Sequence, residues 1–373
     1  MKRLLILTFT ILFAFTLAYS QEVQQQTYVQ EVKQEVKKED KPEWKLGFTV
    51  FTGYFYNPST IQANATNFNS FYLERVYIDY RVDFKNGLKI RITPDINPTT
   101  SGWILRLKYA YFDLSLLDKI LVLSGGITKT EWVSYVDDFV GMRYITKSVA
   151  DKYGVRSSAD IGLNFSLKPI DGVEVFVGLF DGNGYSKGSD NLQTNLNYIN
   201  VTKEIGTRLE VSPIYILTGQ KEFSKIVLAL HSYNTISTLD MTNANAKEVY
   251  GAAILLNYMP LVLSVDYSVF SSIKQNVSAV YGNYFGALGK VNFEFLGLKE
   301  LSLVGAYYIY DQDIDITDNE SQFYVLGAEY ALNKNFLTSL NVKVDQKKNG
   351  YKDFNGNKVD YQTVIYIDNQ IKF

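Results

Sequence analysis

Apolar and polar residues alternate with a period of two along most of the chain after its first 44 residues. Within the segment 71–84, for example, Val76 and Ile78 alternate with Arg75 and Asp79. This period is that of β-strands with one apolar face and one wet face. The pattern predicts sixteen strands, at residues 46–56, 71–84, 88–96, 103–113, 119–128, 159–168, 172–181, 202–211, 225–236, 248–258, 261–271, 278–295, 300–310, 321–332, 335–346 and 360–373.

Connections between the predicted strands alternate in length. Those after even-numbered strands are short and have tight-turn chemistry, as at Asn86-Gly87 and Asn333-Lys334. Those after odd-numbered strands are mostly long and polar, as at 129–158 and 182–201. An outer-membrane barrel with both termini in the periplasm has this alternation. The departures are two short connections, 97–102 and 272–277, and a long one, Ser212–Ser224. We therefore expect one or two strand boundaries to be displaced.

The predicted fold class is all-β, a transmembrane antiparallel β-barrel of about sixteen strands. Beyond the N-terminus no apolar run reaches the 18 or so residues of a membrane-spanning helix, so any membrane crossing must use strands. A soluble β-sandwich also alternates, but it directs its charged side chains outward rather than into a lumen. About sixteen strands leave an aqueous lumen that side chains cannot fill.

The N-terminus predicts export. Met1-Lys2-Arg3 precedes the apolar run Leu4–Leu17 and the small residues before Gln21, which is the order of a secretory signal. We expect residues 1–20 to be a cleaved signal peptide and 21–44 to be a polar periplasmic extension. The outer-membrane barrel then occupies 45–373.

Composition agrees with an outer-membrane location. The chain has 29 Tyr and 23 Phe, and such rings are favoured at membrane interfaces, so outer-membrane lipid is an expected partner. It has no Cys, so neither disulfides nor thiolate metal sites hold the fold. The formal net charge of -2 offers no basic excess for phosphates, and we expect no nucleic-acid partner.

The last residues, Tyr361–Phe373, place apolar side chains at alternate positions and end on an aromatic ring. This resembles the C-terminal strand that the barrel-assembly machinery reads in outer-membrane barrels. Asn369 on the apolar face departs from that pattern. The resemblance implies the assembly machinery as a partner during biogenesis.

The segment Lys129–Ser158 is the longest connection and has its own aromatic residues and mixed charge. A long loop of this composition is expected to be ordered and functional. Four of its stretches resemble the constriction-loop region of porins related to the phosphate-selective porin superfamily: Glu131–Tyr135, Gly141–Ile145, Asp151–Gly154 and Ser157–Gly162. The resemblance implies a homotrimeric channel whose loop folds into the lumen and narrows it. No dense lysine cluster occurs in the loop, which argues against phosphate as the solute.

Candidate pore-lining residues follow from the alternation. Six basic side chains fall on lumen positions of the second to fourth strands: Arg75, Arg81, Lys89, Arg91, Arg106 and Lys108. The loop adds Arg143 and the acids Glu131, Asp137 and Asp138. Either these groups create a transverse field that selects weakly for anions, or they are ion pairs that satisfy one another. The expected function is passive diffusion of small hydrophilic solutes or inorganic anions, and the alternative is a closed structural or adhesive barrel.

Catalysis has little support in the sequence. The lone histidine, His231, lies within a predicted strand, where a hydrogen-bonded structural role is commoner than a place in a Ser-His hydrolase. Phe180–Gly184 resembles a calcium or phosphate loop but opens no helix, so it reads as a turn. We expect no enzyme activity, no cofactor and no metal ion.

Overall fold

The described part of the chain forms a closed antiparallel barrel. The computed structural model describes residues 41–58, 69–99, 102–182, 184–185, 202–237, 246–273, 279–352 and 358–373. The predicted signal peptide and nearly all of the predicted extension lie outside these ranges. No helix in the described residues has the length and apolar character needed to span a membrane.

Each strand pairs with its neighbours in sequence, and β1 pairs with β16 to close the barrel. The strands are β1 Glu43–Tyr56, β2 Asn69–Asp83, β3 Leu88–Thr99, β4 Gly102–Leu116, β5 Leu121–Lys129, β6 Ala159–Ile170, β7 Val173–Phe180, β8 Thr202–Val211, β9 Ile226–Ser237, β10 Ala246–Tyr258, β11 Leu261–Ile273, β12 Val280–Asn292, β13 Leu301–Asp311, β14 Ser321–Asn333, β15 Phe336–Lys352 and β16 Lys358–Lys372. The predicted strand count is confirmed.

Closure is made by the first and last strands, and it leaves the sheet without a free edge. Thr49 lies opposite Lys372 in this pairing, and Tyr56 lies opposite Ile365. The Phe373 backbone N–H donates to the Phe48 carbonyl at 3.0 Å, so the pairing extends to the last residue. We call the barrel end where β1 begins and β16 ends the turn end, and the opposite end the loop end.

The outer wall of the barrel is apolar, whereas its interior combines buried polar side chains with apolar ones that pack around the loop after β5. On β4, Leu105 is 69% exposed on the outer wall. Within the lumen, Asp95 of β3 and Ser268 of β11 are completely buried. A soluble sandwich requires the reverse distribution, so these faces fit a lipid-facing wall around a polar interior.

A β-bulge in β4 turns two successive side chains into the lumen. The register between β3 and β4 shifts between Thr93 and Pro94, leaving Lys108 without a direct partner. Pro94 has no N–H to donate, and such residues in sheets occur at bulges and edges. Lys108 contacts Tyr77 across the wall, and Tyr109 reaches Ser134 of the loop after β5. The bulge therefore adds a cation to the lumen without losing an aromatic contact.

All sixteen predicted strands overlap observed ones, and a few boundaries are displaced as expected: β15 ends at Lys352 rather than at residue 346, and β12 ends at Asn292 rather than at residue 295. β8 ends at Val211 and β9 begins at Ile226, and the long connection between them is helical. Pro213 starts the helix and Gly219 ends it in the left-handed conformation, with φ of 68°. The described helices are α1 Val133–Val140, α2 Val149–Lys152 and α3 Pro213–Thr218, with 3₁₀ turns at Leu117–Lys119, Lys221–Lys225 and Glu294–Leu296.

Candidate functional site

The segment Lys129–Ser158, which we call the inner loop, leaves β5 and crosses the lumen. The Trp132 indole donates to the Asp266 carboxylate of β11 at 2.7 Å. Farther along the loop, the Tyr144 hydroxyl donates to the Glu329 carboxylate of β14 at 2.8 Å. Both acceptor strands lie far around the barrel from β5. The prediction that this loop folds inward is confirmed.

Apolar spacing explains why the inner loop is ordered. On α1, Val133, Val136 and Val140 recur on one helix face and are all buried. Gly141 ends this helix with φ of 73°, a conformation that favours glycine. Gly286 of β12 makes room for α2, since a Cβ there lies 2.6 Å from Val149 Cγ1. The loop is therefore packed as a small core inside the barrel.

The root of the inner loop is held by a buried ion-pair network. Arg156 donates from Nε and Nη2 to the two oxygens of Glu131, each at 2.9 Å, and from Nη1 to Glu204 of β8 at 2.9 Å. Tyr233 of β9 also donates to Glu204. The sequence predicted Glu131 as an acid facing the pore, yet it is 1% exposed. Glu131 is an anchor of the loop, because only buried pairing compensates a carboxylate there.

The lone histidine packs beneath the inner loop. His231 stacks on Trp132, with ring centroids 4.0 Å apart and planes at 9°. Its Nε2 lies 3.4 Å from Asp266 Oδ1 and 3.3 Å from Ser268 Oγ. In a Ser-His-Asp relay the serine and the aspartate engage opposite ring nitrogens, whereas here both face the same one. The geometry is that of a structural cluster.

Arg143 lies at the centre of a group of acids. Its guanidinium is 3.2 Å from Asp137, 3.3 Å from Asp151 and 3.6 Å from Glu74 of β2. Burial disfavours the guanidinium charge, but the carboxylates of Asp137 and Asp151 outweigh burial and hold the pKa of Arg143 above its usual value. Burial raises the pKa of Asp137 to about 6, against the opposing effect of Arg143. The inner loop thus contributes one fixed cation and one acid that titrates near neutrality.

Two cavities lie on opposite sides of the inner loop, and Arg143 lines both. The loop-side cavity has a volume of about 450 Å³ and extends along β1, β2 and β14 to β16 toward the loop end. The turn-side cavity has a volume of about 390 Å³ and follows β1 to β4 and β16 toward the turn end. Both cavities border the wall formed by β16, β1 and β2, and Arg143 lies between them.

Four of the six predicted wall cations have carboxylate partners. Arg75 pairs with Asp95 at 2.7 Å, and Arg91 pairs with Asp79 at 2.7 Å. Arg81 also pairs with Asp79, and Lys89 lies 3.4 Å from Asp83. For these four side chains the interpretation as mutual ion pairs holds. Their charge is largely compensated within the wall.

Arg106 and Lys108 differ from the other four. Lys108 Nζ lies 3.3 Å from the Tyr77 hydroxyl and 4.6 Å from the centre of its ring. Neither basic side chain forms an ion pair with any residue that the structure describes. Lys108 lines the turn-side cavity. Uncompensated positive charge in this sector therefore resides in these two side chains.

Two of the three predicted loop acids line the turn-side cavity. Asp137 and Asp138 border the turn-side cavity, opposite Arg81, Arg91 and Lys108 on the wall. Asp138 is paired with Lys129 at 2.5 Å, and Asp137 with Arg143. The expected opposition of acids and bases is therefore present for these two. Glu131 has no part in it.

Several lining residues escaped the sequence analysis. Lys147 of the inner loop and Lys343 of β15 line the loop-side cavity, as do Glu74, Asp345 and Asp368. The period-two pattern on β15 and β16 was sufficient to place Lys343, Asp345 and Asp368 in the lumen. Glu74 lies at a bulge in β2, which breaks that pattern. Lys147 had no periodic signal because it lies in a loop.

A closed sixteen-stranded antiparallel barrel, narrowed by the loop after its fifth strand, is the fold of bacterial outer-membrane porins. Comparison with solved structures agrees. The anion-selective porin from Comamonas acidovorans matches with a TM-score of 0.62 at 13% sequence identity, covering 89% of this chain and 100% of that one. OmpT of Vibrio cholerae matches with a TM-score of 0.61 at 10% identity, covering 90% and 99%. OprB of Pseudomonas putida at high pH matches with 0.60 at 9% identity, covering 88% and 94%.

Because these identities are low, the comparisons establish the fold alone. No protein-family model matches the sequence, and no curated protein matches it significantly. The porin resemblance is confirmed at the level of architecture. The link to the phosphate-selective superfamily stays a prediction.

Proposed function

We propose that this protein is an outer-membrane channel for the passive diffusion of small hydrophilic solutes and ions, with a weak preference for anions. The observation that carries this proposal is the pair of cavities that reach Arg143 from opposite sides of the inner loop. Charged side chains line both cavities, and low-dielectric walls strengthen their effect on a passing ion.

The preference for anions follows from the unequal compensation of charge. Acids along the passage are paired, as Asp79 is with Arg91 and Asp138 with Lys129. Lys108 and Arg106 have no acidic partner among the residues described. An anion in this sector meets positive charge that the wall does not neutralise, whereas a cation meets carboxylates that are already engaged.

Biogenesis and assembly belong to the same proposal. The protein is exported, inserted into the outer membrane by the barrel-assembly machinery and assembled as a homotrimer. The apolar outer wall and the terminal pairing of Phe373 with β1 support insertion and closure. Lipid-facing walls near the first and last strands are the expected trimer contacts.

The test is the reversal potential in a planar bilayer under a salt gradient. Changing Arg106 and Lys108 together to Glu should shift the reversal potential toward cations in a barrel that still folds. The matched control changes Lys119 and Lys334 to Glu, because both lie exposed in turns and alter the net charge equally. No conductance from folded wild-type protein would overturn the channel and favour the structural or adhesive barrel. Equal shifts in both double variants would remove these two wall cations from the permeation path.

A further inference from the structure

The loop-side cavity combines positive charge with an aromatic wall. Its volume of about 450 Å³ lies in the range of small-molecule binding sites. Basic side chains line it from the inner loop and β15, and aromatic rings line it from β1, β2 and β16. Positive charge is sufficient for the passage of inorganic anions, so the aromatic wall indicates a solute with an apolar part.

One ammonium in this cavity has no partner among the residues that the structure describes. Lys152 pairs with Asp345 at 3.1 Å, and Lys343 pairs with Asp368 at 2.8 Å. The ammonium of Lys147 forms no ion pair or hydrogen bond within the described ranges, and its side chain is half-buried. Burial lowers the pKa of Lys147 in spite of the neighbouring Asp151. A bound anion offsets that unfavourable burial of charge.

Arg143 adds donors beside Lys147. Three carboxylates lie within 3.6 Å of its guanidinium, but the angles leave Nε and Nη1 without a hydrogen bond to any described residue. Buried donors without acceptors are costly, so an acceptor in the cavity is favoured there. Lys147 and Arg143 together match the charge and donor requirements of a carboxylate.

The aromatic wall gives the site its second feature. The rings of Phe55, Tyr72 and Tyr366 form a triangle with centroids 6.0 to 6.3 Å apart. Tyr72 is fixed by its hydrogen bond to Asp368. Lys343 lies over the Tyr366 ring at 3.9 Å, whereas no cation in the described residues covers Phe55 or Tyr72. These two rings present apolar surface to whatever enters the cavity.

We propose that the loop-side cavity binds small monocarboxylates that carry an aromatic or other flat apolar body. The carboxylate contacts Lys147 and Arg143, and the body lies against Phe55 and Tyr72. An inorganic anion uses only the first feature, and an uncharged aromatic molecule uses only the second. The inference rests on the proposed channel function, because a solute reaches this cavity through an open lumen.

Current block in planar bilayers tests the proposal with three probes: benzoate, acetate and benzyl alcohol. Benzoate should reduce the single-channel current at concentrations where acetate and benzyl alcohol have little effect. Lys147→Gln should weaken the benzoate block about tenfold, the loss expected from one charge-assisted contact. Phe55→Ala should weaken benzoate block while leaving the response to acetate unchanged. Lys299→Gln is the matched control, since Lys299 lies exposed in the turn between β12 and β13 at the turn end, 3.8 Å from Glu294.

The outcomes separate this inference from the channel itself. A wild-type channel that conducts but responds equally to benzoate and acetate overturns the binding site and leaves the channel intact. Block by benzoate that persists in both Lys147→Gln and Phe55→Ala also overturns it. Absence of any conductance overturns both proposals.

Discussion

At the scale of single residues, the net charge that each lumen side chain contributes depends on whether it has an ion-pair partner. The sequence pattern placed Arg75, Arg91 and Lys108 on the inner face, and all three lie there, Lys108 at a bulge that interrupts the alternation. It could not predict their partners. Arg75 and Arg91 are neutralised by acids of neighbouring strands, whereas Lys108 lies over the rings of Tyr77 and Tyr109. Two basic side chains on the same face therefore differ in the positive charge that they present to a passing ion.

Asp137 makes ion selectivity depend on pH. Its pKa is raised to about 6, so the carboxylate is charged at pH 7.5 and neutral at pH 5. Protonation removes a negative charge beside Arg143, with Asp151, Lys108 and Asp138 also nearby. The anion preference should therefore rise as pH falls through about 6.

The measurement is the reversal potential between pH 7.5 and pH 5, recorded for the wild type and for Asp137→Asn. The variant should show a stronger anion preference at pH 7.5 and a smaller response to pH. A wild-type potential that stays constant across this range would contradict the assignment.

At the scale of elements, the inner loop decides how wide the passage is. Its length and aromatic content predicted that it is ordered, and its resemblance to porin constriction loops predicted that it turns inward. Its anchors join residues far apart in sequence, such as Tyr144 with Glu329, and no local pattern specifies such a pairing. Glu131 illustrates the limit, since an acid in a polar loop gives no indication that Arg156 will bury it.

Removing the anchor should loosen the loop. Arg156→Gln leaves Glu131 and Glu204 buried without their cation, and breaking such a pair costs about 3–5 kcal/mol. We expect a lower thermal unfolding midpoint and a larger, noisier single-channel conductance as the loop root detaches from β8.

Lys203→Gln is the control for this variant. Lys203 lies on β8, as Glu204 does, and its partner Asp181 directly follows β7, but the pair is partly exposed, so its loss should change stability by about 0–1 kcal/mol. Equal unfolding midpoints and equal conductance in the two variants would show that the Arg156 network does not hold the loop.

At the scale of the whole molecule, strand rhythm was sufficient to predict the barrel. All sixteen strands were predicted because each has one apolar and one polar face, and because closed barrels require that division. The connection after β8 misled the parity argument because short helices can occupy a turn without shifting its strands. The permeation path could not be predicted, since it depends on which wall the inner loop leaves free.

Assembly gives a separate prediction at this scale. Protein extracted in mild detergent and treated with a cross-linker should migrate as a trimer, with contacts near β1 and β16. Exclusive recovery of monomers would contradict the trimer while leaving the channel proposal unaffected.

The central claim is that ions pass Arg143, and the absence of native cysteines permits a direct measurement. Arg143→Cys channels are recorded in a planar bilayer under a salt gradient, before and after reaction with a cationic or an anionic thiosulfonate reagent. We predict that the substitution shifts the reversal potential toward cations, that the cationic reagent returns it toward the wild-type value, and that the anionic reagent moves it further away. A conducting channel with confirmed thiol modification whose reversal potential responds to neither reagent would contradict the account.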